Sequence, residues 1–137
     1  MSGFDSVDDE SRPELSFNER IASTLPKDWT SPENPPYAYY CYYMWANITS
    51  LNQYRKERGL SIYAESLYSS LGTFTFRPHC GESGAINHLS SAFLVAKSIN
   101  HGIRLNDSPP LQYLYNLFIN NFQVLSRSDR TCSFSTE

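Results

Sequence analysis

The chain has 137 residues, 40% hydrophobic and 15% aromatic, with 18% charged and a net charge of −3. That bulk excludes a disordered chain. The mildly acidic balance removes any general pull toward nucleic acid or anionic lipid, and no run of about 18 apolar residues is present to span a membrane.

The length allows one domain at most, or part of a larger one. The opening MSGFDSVDDESRPE has neither a basic start nor an apolar stretch, so no secretory signal is expected. Cys41, Cys80 and Cys132 are odd in number and far apart, which points to free thiols in a reducing, cytoplasmic compartment. Residues 6–36 are polar and punctuated by Pro13, Pro26, Pro32, Pro35 and Pro36. Proline at that density blocks long helices and central strands, so a long loop is predicted, with a helical turn over 17–22. On their own, the carboxylates of Asp5, Asp8, Asp9 and Glu10 read as a solvated acidic turn.

From Tyr37 the pattern changes. Tyr37, Cys41, Met44, Ile48 and Leu51 recur at helical spacing, a basic run follows at 55–58, and Gly59 sits where a helix stops. A helix over 37–58 is predicted. Residues 60–71 fit no single pattern. Thr73-Phe74-Thr75-Phe76 alternates like a strand and is ended by Arg77-Pro78. A second helix is expected over 85–97, with Ile86, Leu89, Phe93 and Ala96 inward. Residues 98–103 suit a short buried strand. Asp107 or Ser108 then caps a third helix with proline in its first turn, Leu111, Leu114 and Phe118 facing in. Residues 122–125 read as a last strand and 126–137 as a polar tail. Helices and strands alternating at this spacing argue for parallel βα units and an α/β fold.

In such folds, the loops after the strand ends hold the chemistry. Phe76-Arg77-Pro78-His79-Cys80-Gly81-Glu82-Ser83-Gly84 is one such loop. Imidazole is a zinc ligand, carboxyl is a general acid or base, and Gly81 and Gly84 let the backbone approach a ligand closely. A His-x-x-Glu after a strand can equally be a hydrogen-bonding pair. A second histidine, His101, ends the next predicted strand in Asn100-His101-Gly102, so two neighbouring units offer imidazole to one rim. His88 lies on the intervening helix and reads as a structural or surface residue.

Taken together, five stretches resemble the metal-dependent adenosine and AMP deaminase family, and AMP deaminase in particular. They are Ser2-Gly3-Phe4-Asp5-Ser6-Val7-Asp8-Asp9-Glu10-Ser11, Asn34-Pro35-Pro36-Tyr37-Ala38-Tyr39-Tyr40, Phe76-Arg77-Pro78-His79-Cys80-Gly81-Glu82, Asn100-His101-Gly102 and Ser108-Pro109-Pro110-Leu111-Gln112-Tyr113-Leu114-Tyr115. The resemblance implies a partial TIM (β/α)8 barrel over 1–125, roughly strands 4 to 7 with their helices. It implies hydrolysis of AMP to IMP and ammonia with one Zn2+. His79 would be a zinc ligand, and Glu82 would protonate the purine ring at N1. His101 would orient and help deprotonate the attacking water. Asp5, Asp8 and Gly81 would lie against the substrate, the backbone near Asp8 meeting N3. Zinc supplies a hydroxide near neutral pH, and electrons pushed onto N1 during attack at C6 require an acid there. Glu82 can serve only where burial keeps its proton on. The intact family enzyme is expected to be a cytoplasmic homo-oligomer with no nucleic-acid or membrane partner.

The same resemblance places two further zinc histidines on the first barrel strand and an aspartate on the last. Here His79, His88 and His101 are the only histidines, and no His-x-His occurs. The alternative is therefore a catalytically incomplete fragment that acts, if at all, as a non-catalytic partner of full-length subunits. Residues 60–71 look like an insertion of roughly ten residues against ordinary loops, and the last dozen or so depart from the family. A nucleoside deaminase is disfavoured by the Asn34-Pro35-Pro36-Tyr37 helix start, and a cytidine deaminase by the lack of Pro-Cys-x-x-Cys.

Overall fold

The computed structural model describes residues 2–6, 9–59 and 74–118. Within them, β1 (Ser2–Phe4) pairs in parallel with β2 (Phe74–Phe76), and β3 (His79–Cys80) pairs in parallel with β4 (Asn100–His101). The ladder continues between these short pieces. Arg77 N–H donates to the Phe4 carbonyl at 2.9 Å, and His79 N–H to Ser6 at 3.3 Å. On the other side Lys97 N–H donates to Phe76 at 3.0 Å and Asn100 N–H to Pro78 at 2.9 Å. The chain from 74 to 80 is thus a middle rung between 2–6 and 97–102. Pro78 contributes only its carbonyl, as a residue without an N–H must.

Helices cross over between the rungs. Among the described residues four are present: α1 (Glu19–Ser23), α2 (Tyr37–Glu57), α3 (Asn87–Val95) and α4 (Pro109–Phe118), with short 3-10 turns at Pro26–Asp28 and Ile103–Asp107. α2 leads from β1 to β2 and α3 from β3 to β4, the order expected of parallel units. α2 packs on α3 and β2, and α3 on α4 and β3. The core between them is Tyr37, Cys41, Phe76, Cys80, Leu89, Ala92, Ile99, Leu105 and Tyr115. Among the described residues no helix is long and apolar enough to cross a membrane.

Several sequence expectations shift. The predicted helices at 37–58 and 85–97 form as Tyr37–Glu57 and Asn87–Val95, and the turn expected over 17–22 forms as Glu19–Ser23. The strand expected over 98–103 shrinks to Asn100–His101, because a 3-10 turn starts at Ile103. β1 has no local sequence signal and stands where the resemblance places the first of its strands 4 to 7, whereas His79 and Cys80, expected in a loop after Arg77-Pro78, lie in β3. The predicted strand at 122–125, the polar tail and the 60–71 segment lie outside the described residues. Leu51 does not face inward but is exposed; the α2 stripe drifts to Asn52 instead. On α4 the fully buried residue is Tyr115, not Leu114, and its hydroxyl donates to the Leu89 carbonyl at 2.7 Å. That bond lets a phenol sit in an apolar core.

Asn52 ties α2 to β2. Its side-chain nitrogen donates to the Phe74 carbonyl at 2.7 Å, and the Phe74 N–H donates to its side-chain oxygen at 2.8 Å. Asn52→Ala leaves both backbone groups without that partner and should cost about 1–3 kcal/mol. Urea unfolding would show the loss as a lower midpoint; an unchanged midpoint would mean that water replaces both bonds.

Candidate active site

His79 stands in β3 opposite Asn100, and His101 stands in β4 opposite Cys80, so both lie at the same end of neighbouring parallel rungs. Glu82 follows β3 in a tight turn. One ligand atom from each of His79, Glu82 and His101 lies within 4.8 Å of the others. His101 Nε2 is 3.4 Å from Glu82 Oε2, and the two imidazole rings are 4.6 Å apart, centre to centre. The backbone is bent to achieve this. His101 has φ +73°, in the left-handed region that costs a non-glycine residue of order 1–3 kcal/mol. Gly81 has φ +72°, and a Cβ there would stand 2.8 Å from Leu89 Cδ2.

Asp5 approaches from the β1 side. Its Oδ1 accepts the Ser6 N–H at 2.8 Å and lies 2.8 Å from His79 Nδ1. A carboxylate at Nδ1 holds the proton there and leaves Nε2 as the lone-pair nitrogen. The structure therefore brings together four of the six residues singled out from sequence: His79, Glu82, His101 and Asp5. Gly81 supports the turn between them and is itself buried. Asp8 lies outside the described residues. Glu82 is 49% exposed, so the described residues do not supply the burial that its proposed acid role requires.

The donor set suits zinc. Imidazole is a ligand type that zinc accepts, and of the three groups it is His79 that the resemblance makes a ligand, with Glu82 and His101 close by. A metal-binding histidine typically has its other ring nitrogen held by a carboxylate, as Asp5 holds His79.

Sequence reasoning missed a second layer beneath this one. Glu10, expected in a solvated turn, is buried at 6% exposure. Its carboxylate accepts the N–H groups of Gly81 and Glu82 at 2.7 Å each and of Ser83 at 3.1 Å. His88, also buried, sits between two carboxylates: Nδ1 is 3.2 Å from Glu10 Oε1 and Nε2 is 3.3 Å from Glu14 Oε1. Glu14 also accepts the Tyr37 N–H at 2.7 Å, capping the start of α2. The Tyr37 ring stacks on His88 at 4.1 Å, and its hydroxyl donates to the His79 carbonyl at 2.7 Å. The one sequence signal was the small-residue turn at 81–84, whose free N–H groups call for an anion. A cavity of about 330 Å3 opens on this layer and is lined by Ser6, Glu10, Glu14, Tyr37, Tyr40 and His88. Its walls do not include His79, Glu82 or His101. The geometry of convergent donors, rather than this hollow, marks the chemistry.

Burial alone would raise the Glu10 carboxyl, but His88 and the three backbone N–H groups outweigh it and hold it down at about 2. Burial alone would lower His88; the carboxylates of Glu10 and Glu14 outweigh it and raise it above its ordinary 6.5. The sign of each contribution follows. Glu10 stabilises fully above its ordinary 4.5 and loses that contribution as the pH falls toward about 2. His88 stabilises fully below 6.5 and loses its contribution as the pH rises through its raised value. The melting temperature should therefore be highest between about pH 4.5 and 6.5, the alkaline fall disappearing in His88→Gln. A pH series of thermal melts on both proteins checks this, and an alkaline fall that survives the substitution contradicts it.

Burial also pushes the Cys41 thiol up to about 12 and the Cys80 thiol up, so neither is a nucleophile near neutrality. Both are free cysteines.

The AMP deaminase family profile matches residues 1–125. AMP deaminase 3 of Homo sapiens is 55% identical over 118 residues, covering 85% of this chain and 14% of the relative. AMP deaminase 1 of Mus musculus is 51% identical over 116 residues, 84% of this chain and 14% of the relative. AMP deaminase of Schizosaccharomyces pombe is 51% identical over 115 residues, 84% of this chain and 12% of the relative. The chain thus spans about one seventh of the length of these relatives.

Proposed function

The chain belongs to the AMP deaminase family, and from that premise we propose that it carries part of a zinc-dependent centre that hydrolyses AMP to IMP and ammonia. The observation that carries this reading is the convergence of His79, Glu82 and His101 within 4.8 Å. We read their frame as a portion of a (β/α)8 barrel, on the strength of its parallel rungs and helical crossovers.

His79 would hold the metal through Nε2, with Asp5 fixing its tautomer. Bound zinc would polarise the attacking water and lower its pKa. His101 takes the water's proton as oxygen bonds to C6 of the purine. Glu82 gives a proton to N1, which the same attack makes basic. The exocyclic amine then leaves as ammonia once His101 returns its proton to it, while the C6 hydroxyl gives its proton back to the Glu82 carboxylate and becomes the carbonyl of IMP. The seated purine itself completes the burial that Glu82 needs. Two buried, reduced thiols suit a cytoplasmic setting.

A second reading rests on the small share of the relatives that the chain spans. On its own it would be catalytically incomplete, acting through full-length subunits. Ammonia release from AMP, with adenosine as the comparison substrate, separates the readings. The purified 137-residue chain should bind zinc weakly and release little ammonia. A longer protein that supplies the remaining ligands should turn over AMP, lose that activity to a chelator and regain it with Zn2+. If the longer protein leaves AMP untouched, the proposed chemistry fails.

A further inference from the structure

We propose that Glu10 is the positioning residue of the 79–83 turn, its buried carboxylate fixing where Glu82 stands between His79 and His101. The inference deepens the functional reading and rests on it for the role of Glu82.

Three successive N–H groups, from Gly81, Glu82 and Ser83, converge on the two oxygens of Glu10 at 2.7, 2.7 and 3.1 Å. Successive N–H groups pointing into one hollow form a nest that binds an anion. Here the anion belongs to the chain itself. The nest is therefore filled, and the turn is held by an internal group rather than by a substrate phosphate. His88 clamps the carboxylate from behind, Glu14 clamps His88, and Glu14 also holds the Tyr37 N–H. Tyr37 closes the circuit by donating to the His79 carbonyl. One buried cluster thus grips the turn at both ends.

The Glu82 side chain takes no part in that grip. It is half exposed and lies 3.4 Å from His101. Its backbone is fixed while its carboxyl stays available, which is what a proton donor needs. The carboxylate is essential to the scheme. Four donors meet two oxygens, whereas glutamine offers one oxygen and would turn its own N–H groups toward three N–H donors. Aspartate keeps the charge but is one methylene too short.

The test compares Glu10→Gln, Glu10→Asp and Glu14→Gln in the longer protein. Glu14→Gln loosens His88 but leaves the three N–H bonds of Glu10 in place. Amide hydrogen exchange at residues 81–83 and steady-state kinetics with AMP are measured on each. For Glu10→Gln, exchange at 81–83 should rise about tenfold or more while protection in α2 and α4 is kept. Its kcat should fall about tenfold or more with KM within about twofold, since the defect lies in placing the acid and not in binding. Glu14→Gln, which removes one clamp on His88 but none of the three N–H bonds, should change each in the same direction and by less than Glu10→Gln does. Unchanged exchange at 81–83, or a fall in kcat that only tracks global unfolding, would overturn the proposal. If Glu10→Gln does not fold, Glu10→Asp carries the same comparison: faster exchange confined to 81–83 supports the role and wild-type exchange overturns it. A wild-type protein that leaves AMP intact sinks the functional reading, while the exchange measurement still decides whether Glu10 holds the turn.

Discussion

On the proposed chemistry, Glu82→Gln in a longer protein that supplies the remaining zinc ligands should lower kcat for AMP by about 10²–10⁴-fold while KM changes by less than about threefold. Glutamine keeps the length and shape of the side chain, so the contact with His101 at 3.4 Å and the turn held by Glu10 both survive. It cannot release a proton. Water attack at C6 drives an electron pair onto N1, and without a donor that charge has no outlet. The effect therefore belongs to the transition state, and KM is spared. An assay coupling ammonia release to a reporter measures it directly. Activity within a few-fold of the unmodified protein would mean that another group protonates N1.

Gly84→Ala should be the most damaging single substitution for stability. A Cβ at residue 84 would collide with His88 Nδ1 and stand 2.5 Å from Glu10 Cγ and 2.7 Å from Glu10 Oε1. These are not flexible surface tips. Glu10 and His88 are buried and bonded to each other, to Glu14 and to the turn. Making room means overpacking the site or pulling the pair apart, and a broken buried pair costs about 3–5 kcal/mol. The exposed neighbour Ala85 is the control, since Ala85→Ser should stay within about 0.5 kcal/mol. Chemical denaturation of the two variants would show the contrast. Equal midpoints would mean that the cluster relaxes without cost.

The parts of the site that were legible in the sequence are those tied to strand ends. His79 follows a β-branched, aromatic run that carries on through Pro78, and His101 precedes Gly102, so a parallel layer puts both on one rim. Glu82 is only three residues further on. Glu10, Glu14 and His88 were not legible, because their meeting depends on how a proline-rich loop folds back across more than seventy residues. Polar side chains in such a loop look solvated until their partners are known. Helix phase explains the smaller misses. A period of 3.6 lets the α2 stripe continue at Asn52 as readily as at Leu51, and the bonds to Phe74 decided for Asn52. On α4 the larger Tyr115 won the interior over Leu114 because Leu89 offered its hydroxyl a carbonyl.

One structural experiment reaches the centre of the account. Crystals of the longer protein grown with Zn2+ would give an anomalous peak at the zinc edge. The expected peak lies about 2.0–2.1 Å from His79 Nε2, with His101 and Glu82 beside it but outside bonding distance. Zinc bonded to His101 and Glu82 while His79 stands apart would contradict the assignment of all three roles.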